Sequence, residues 1–101
     1  MVSSRILANV DEIAEILAVL GNGKRIAIIY HLIHEELPVN VLARKVGLSQ
    51  SALSQHLAKL RERRIVQTRR DRQMIYYSCT SQTVRDILRE VDEIVSRKPA
   101  Q

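Results

Sequence analysis

The sequence predicts a mainly α-helical domain with one small β-hairpin, arranged as five helices and a two-stranded wing. Three observations carry this reading. Apolar residues recur at helical spacing through most of the chain. The period changes once, over residues 65–78, where β-branched and aromatic residues gather in two strand-like runs. Between them in importance, Gly47 separates a short helix from a longer one whose solvent face is rich in glutamine and serine rather than mixed in charge.

Taken in order, residues 1–8 show neither a cap nor a period and are expected to be partly disordered. Asn9 or Asp11 can cap a first helix that runs to about Leu20, with Ile13, Ile16, Leu17 and Leu20 as its apolar stripe. Gly21-Asn22-Gly23 breaks it. A second helix over about 24–35 is expected to bury Ile26, Ile29, Leu32 and Ile33. It ends at Leu37-Pro38, since proline cannot continue a helix and restricts the residue before it. A third, over about 39–46, buries Val41, Leu42 and Val46 and stops at Gly47, which can take the left-handed conformation of a helix C-terminus. Ser49 then caps a helix over 50–63 whose Leu53, Leu57 and Leu60 must face a core. Residues 65–70 and 73–78 read as strands joined by a turn at Asp71-Arg72, so the hairpin has a basic tip. A last helix over about 83–96 carries Val84, Ile87, Leu88, Val91, Ile94 and Val95, and Arg97-Lys98-Pro99 ends it. Short helix, turn, polar-faced helix and basic hairpin, in that order, describe a winged helix-turn-helix.

The bulk properties agree. At 101 residues and 46% hydrophobic content the chain makes one domain spanning residues 1–101. With no Trp or Phe, its core is built from Leu, Ile, Val and Ala. No apolar run approaches the roughly 18 residues needed to cross a bilayer, and the first residues lack a signal-peptide pattern. The single cysteine, Cys79, excludes an intrachain disulfide. These features predict a cytoplasmic protein. The net charge of +5 is unevenly spread. Residues 44–73 hold nine cations (Arg44, Lys45, Lys59, Arg61, Arg63, Arg64, Arg69, Arg70 and Arg72) against Glu62 and Asp71, a surplus of seven, which leaves the rest of the chain at −2. A charge gathered in this way favours a polyanionic partner.

The helix over 50–63 suggests how that partner is met. Gln50, Ser51, Ser54 and Gln55 are short, uncharged hydrogen-bonding groups on its first two turns, suited to base edges in a major groove. Ser49, His56, Lys59 and Arg61, with Arg69, Arg70 and Arg72 of the wing, suit the phosphate backbone or an adjacent minor groove. The plainer reading is a surface helix that happens to be rich in Gln and Ser. The apolar stripes of the first and last helices, Ile13, Ile16, Leu17 and Leu20 with Val84, Ile87, Leu88, Val91, Ile94 and Val95, exceed what one small winged domain can cover. They predict a symmetric homodimer.

The segment LARKVGLSQSALSQHLAKLRERRIVQTRRDRQMIYYS resembles the centre of the ArsR-type winged-helix repressors, and within them the metal-independent branch of the nodulation repressor NolR. The strongest matches run from Leu48 to Leu57, from Lys59 to Arg61, from Thr68 to Asp71 and from Tyr76 to Ser78, with a weaker likeness at Gly23-Lys-Arg25 and the flanking helices. The resemblance implies a bacterial homodimer joined by its terminal helices, which binds an imperfect inverted repeat in double-stranded DNA, on the nucleoid, and represses transcription. It also implies that ligands, where members have them, act through metal or cysteine sites. This chain departs from those members. The stretch from Val39 to Ala43 has no cysteine where arsenic, cadmium or lead sensors place a Cys-x-Cys. The last helix has Asp86, Glu90, Asp92 and Glu93 but no histidine, and one cysteine cannot make a persulfide sensor's pair. No metal or other cofactor is therefore expected.

The remaining reactive residues have ordinary readings. His31 and His34, beside Glu35, are spaced to share a helix face but lack the further ligands that structural zinc wants. His56 could touch a phosphate or pack under the wing. Cys79 reads as a structural or incidental thiol. Tyr76 and Tyr77 alternate across a strand, so one should face the core. No phosphate loop and no nucleophile–base spacing points to an enzyme. A DNA-binding repressor is the main reading; a ligand-, metal- or redox-responsive switch on the same scaffold, or a protein-interaction module with an incidental basic face, are the alternatives.

Overall fold

The computed structural model describes residues 1–97. Its elements are α1 (Arg5–Ala8), α2 (Val10–Leu20), α3 (Gly23–His34), β1 (Leu37–Pro38), α4 (Val39–Val46), α5 (Gln50–Glu62), β2 (Val66–Asp71), β3 (Met74–Cys79) and α6 (Gln82–Ser96). This is the expected mainly helical, winged helix-turn-helix arrangement with two additions. Residues 5–8 form a single helical turn where disorder was expected, although Ser4 offers it no side-chain cap. Leu37 and Pro38 form a short third strand by pairing with Tyr77 and Tyr76, so the sheet order is β1-β3-β2. Of the residues expected to end α6, Lys98 and Pro99 lie outside the described residues.

The hairpin turn is one residue later than expected. Asp71 still pairs with Met74, which leaves Arg72-Gln73 as a two-residue loop. Arg72 sits at φ 59°, the positive value that tight hairpin turns demand at this position. A non-glycine residue there stores strain, and Arg64, between α5 and β2, is held at the same φ.

One core joins α3, α4, α5 and the roots of the wing. Ile28, Ile29, Leu32, Leu42, Leu53, Leu57, Leu60 and Val66 are essentially inaccessible, and Cys79 is enclosed with them. Helix α3 buries Ile29 and Leu32 as expected and packs Ile33 partly against the core, but its buried face is rotated away from Ile26. It buries Ile28, and Ile26 is 39% exposed, because the helix turns its 28–29–32 side to α4 and the sheet. Leu20 and Val84, expected on a dimer surface, are taken up by the protomer's own core at 6% and 3% exposure. Ile16, Ile87 and Leu88 pack partly against the same core, and the outer part of the terminal stripes is left open: Leu17, Val91, Ile94 and Val95 are exposed, with Ile6, Leu7 and Val10 nearby in sequence. The radius of gyration is 15.4 Å and the extents are 49 × 37 × 20 Å. A closed domain of this length would have about 13 Å. The outlying wing and terminal helices account for the excess.

Candidate nucleic-acid interface

The turn between α4 and α5 is fixed by three local devices. Gly47 ends α4 at φ 69°, in the left-handed region that glycine enters without a Cβ penalty. Leu48 N–H donates to the carbonyl of Ala43 at 3.1 Å, and Lys24 Nζ of α3 donates to the carbonyl of Val46 at 2.9 Å, so two carbonyls of the last turn of α4 are satisfied. Ser49 then caps α5 by accepting from Ala52 N–H at 3.1 Å. Leu53, Leu57 and Leu60 anchor α5 to the core at 0–1% exposure. The anchored stripe turns the opposite side of the helix outward.

That outward side carries the predicted residues together. Gln50, Ser51, Ser54, Gln55, Lys59 and Arg61 are all exposed. Among the described residues, none of these six side chains is hydrogen-bonded or ion-paired within the protein. Other surface cations are paired, such as Arg63 with Glu15 at 2.7 Å and Arg89 with Asp86 at 2.8 Å. The first turn of α5 holds no acidic residue, so its N-terminal dipole is uncompensated and favours an anion. The face is chemically graded: neutral donors and acceptors first, cations behind them.

His56 lies at the edge of this face and is half-buried. Burial, then the nearby Arg25 and Lys59, push its pKa below the ordinary histidine value, so the imidazole is neutral at physiological pH. A neutral ring still offers one N–H to a phosphate.

The wing is less uniform than its sequence. Arg70 and Arg72 reach the tip, where Arg70 Nε donates to the carbonyl of Arg72 at 3.2 Å. Arg69, expected to be free for DNA, is instead engaged by Glu36, which its position on the opposite face of β2 brings within reach. Tyr77 packs against the core while Tyr76 stands under the Arg69 guanidinium.

The residues set aside as ordinary have partners of their own. His31 and His34 meet the ring of Tyr30 edge-on, with centroids 5.2 and 4.7 Å away. Cys79 is 1% exposed, and its carbonyl accepts from Arg85 Nη2 at 2.7 Å. Among the described residues, no group of three or more His, Cys, Asp or Glu side chains is placed to hold a metal ion, and no single helix is long and apolar enough to cross a membrane.

The comparisons with known proteins agree with this geometry. The sequence profile described as "Bacterial regulatory protein, arsR family" matches residues 22–68, which runs from the cap of α3 into β2 and includes α4, the turn and α5. Nodulation protein NolR of Rhizobium meliloti is 53% identical over 81 residues, 80% of this chain and 66% of that protein, so the chain spans slightly less than two thirds of that relative's length. The crystal structure of NolR from Sinorhizobium fredii superposes with a TM-score of 0.83 at 48% identity, covering 93% of this chain and 94% of that one. The transcriptional repressor BigR from Xylella fastidiosa gives a TM-score of 0.84 at 30% identity over the whole of both chains. The homodimeric winged helix-turn-helix DNA-binding domain of Mb0332 from Mycobacterium bovis gives 0.79 at 25% identity, covering 99% and 93%. Sequence, fold and the placement of the polar-faced helix together show that the chain belongs to the arsR family of bacterial regulatory proteins.

Proposed function

We propose that this protein is a cytoplasmic, homodimeric transcriptional repressor that binds an inverted repeat in double-stranded DNA and works on the nucleoid. Helix α5 enters the major groove. Gln50, Ser51, Ser54 and Gln55 read base edges, while Ser49, His56, Lys59 and Arg61 meet phosphates. The wing adds Arg70 and Arg72 at its tip. Two protomers join through α2 and α6, at Ile13, Ile16, Leu17, Ile87, Leu88, Val91, Ile94 and Val95. A dimer of this kind sets two copies of α5 on successive turns of one face of the duplex. Seated over a promoter, it represses by excluding the polymerase.

The observation that carries the reading is the open polar face of α5, uncharged at the helix N-terminus and cationic behind it, with no partner among the described residues. A protein-interaction module with an incidental basic face would leave that order without a purpose. BigR is described as a repressor and the Mb0332 domain as homodimeric and DNA-binding, which supports the same reading here. A catalytic role has no support in the geometry, and the named relatives are regulators rather than enzymes.

The wing gives a direct test. Arg72 is exposed at the loop. Arg72→Ala is expected to weaken binding to all duplexes alike and to make the slope of log K against log salt shallower by about 0.9 for each phosphate contact removed. Fluorescence titration over a range of salt concentrations measures this. An unchanged slope would show that Arg72 does not touch the backbone, and loss confined to one base pair would show that it reads sequence.

A further inference from the structure

The wing carries three arginines, and one of them is restrained. Arg69 Nε donates to both carboxylate oxygens of Glu36, at 3.1 and 3.2 Å, and Arg69 Nη2 lies 3.0 Å from Glu36 Oε1. The guanidinium carbon also stands 4.9 Å from the centroid of the Tyr76 ring. The register explains the arrangement. Tyr76 on the central strand pairs with Arg69 of β2 on one side and Pro38 of β1 on the other, so the arginine crosses the ring to reach the residue before β1. A planar fork engaged by both oxygens of a carboxylate and stacked on an aromatic face is held in orientation as well as neutralised. The hydrogen bond that Arg69 donates to Glu36 raises the Arg69 pKa, as expected for a cation held by its counter-ion. Arg70 and Arg72 have no acidic partner among the described residues.

We propose that Glu36 is a built-in restraint on the wing, which keeps Arg69 out of the phosphate-binding set and so sets how strongly the protein binds duplex DNA of any sequence. The inference rests on the DNA-binding function proposed above and refines it. Each wing presents two cations to the backbone rather than three. Phosphate contacts strengthen binding to every sequence equally. A cation withheld from them lowers affinity for every sequence alike and leaves the ratio between sequences, set by base readout on α5, untouched. The tie also pins the two-residue β1 to the far strand of the sheet.

The test compares wild type, Glu36→Ala, Arg69→Ala and the double variant on one random-sequence duplex across a salt series. Both side chains are substantially exposed, at 40% for Glu36 and 53% for Arg69, so neither truncation opens the core; thermal melts of the four proteins check this. Arg69→Ala alone is expected to leave affinity and salt slope as in wild type. Glu36→Ala is expected to bind more tightly, with a slope steeper by about 0.9 for each protomer engaged. The double variant should return to the Arg69→Ala values, because the gain comes from the released arginine. A gain that survives in the double variant would show that Glu36 merely repels phosphate, and would overturn the proposal. So would no gain in Glu36→Ala, or a weaker and shallower response in Arg69→Ala alone. The wild-type curve separates the two levels of the inference. Salt-dependent binding by wild type with any of these three results sinks only the restraint, whereas no binding by wild type sinks the DNA-binding function with it.

Discussion

Val91→Asp is expected to convert the dimer to a monomer and to lower affinity for the operator by about 100-fold or more, the gain that a second linked site normally supplies. Val91 is 46% exposed on α6, between the buried end of the helix at Val84 and the open end at Ile94 and Val95. A carboxylate there costs the isolated protomer little, since the side chain already meets water. In the dimer it would be an unpaired charge within an apolar contact, which is unfavourable by several kcal/mol in such settings. Leu88→Asp is a poorer choice, because Leu88 packs against the protomer's own core and its loss would confuse unfolding with dissociation. Sedimentation equilibrium at micromolar concentration measures the assembly and a melt confirms the fold. A wild-type protein that sediments as a monomer would remove the basis of the prediction.

Gln55→Ala is the second large effect. Gln55 is exposed on the second turn of α5, on the side away from Leu53 and Leu57. Its amide both donates and accepts, which matches the N6 and N7 edge of adenine. The variant is expected to lose about 1–3 kcal/mol in each half-site of the operator. On random duplex, where phosphate contacts dominate, the loss should be small. Stability should be unchanged. Titration of wild type and variant against both duplexes at one salt concentration reads the difference. Parallel loss on both, or none on either, would move sequence recognition to other side chains or to DNA shape.

The features legible in the sequence are those with local causes. Gly47, Ser49 and the Leu53–Leu57–Leu60 stripe lie within a few residues of the structure they produce, and α4, the turn and α5 follow from them. The clustering of Gln50, Ser51, Ser54 and Gln55 on one face follows from helical geometry alone. What was not legible depends on distant partners. Strand β1 is two residues long and exists only because β3 pairs with it. Glu36 and Arg69 are 33 positions apart and meet across the sheet, so the three wing arginines look equivalent until that sheet is formed. The hairpin turn falls at Arg72-Gln73 without a glycine to mark it. Periodicity shows that Leu20 and Val84 face something apolar. It does not distinguish the protomer's own core, which they join, from the surface of a second copy. The same limit applies to Ile26, which lies at the open edge of α3 while Ile28 joins the expected Ile29 and Leu32 in the core.

The most direct test of the central claim is selection of bound sequences from a random duplex pool by the wild-type protein. The account predicts enrichment of a two-fold symmetric inverted repeat, with half-site centres about 10 bp apart or a multiple of that spacing, as two copies of α5 on one face of the duplex require. Retention of duplexes without any sequence enrichment, or enrichment of a single unrepeated site, would contradict it.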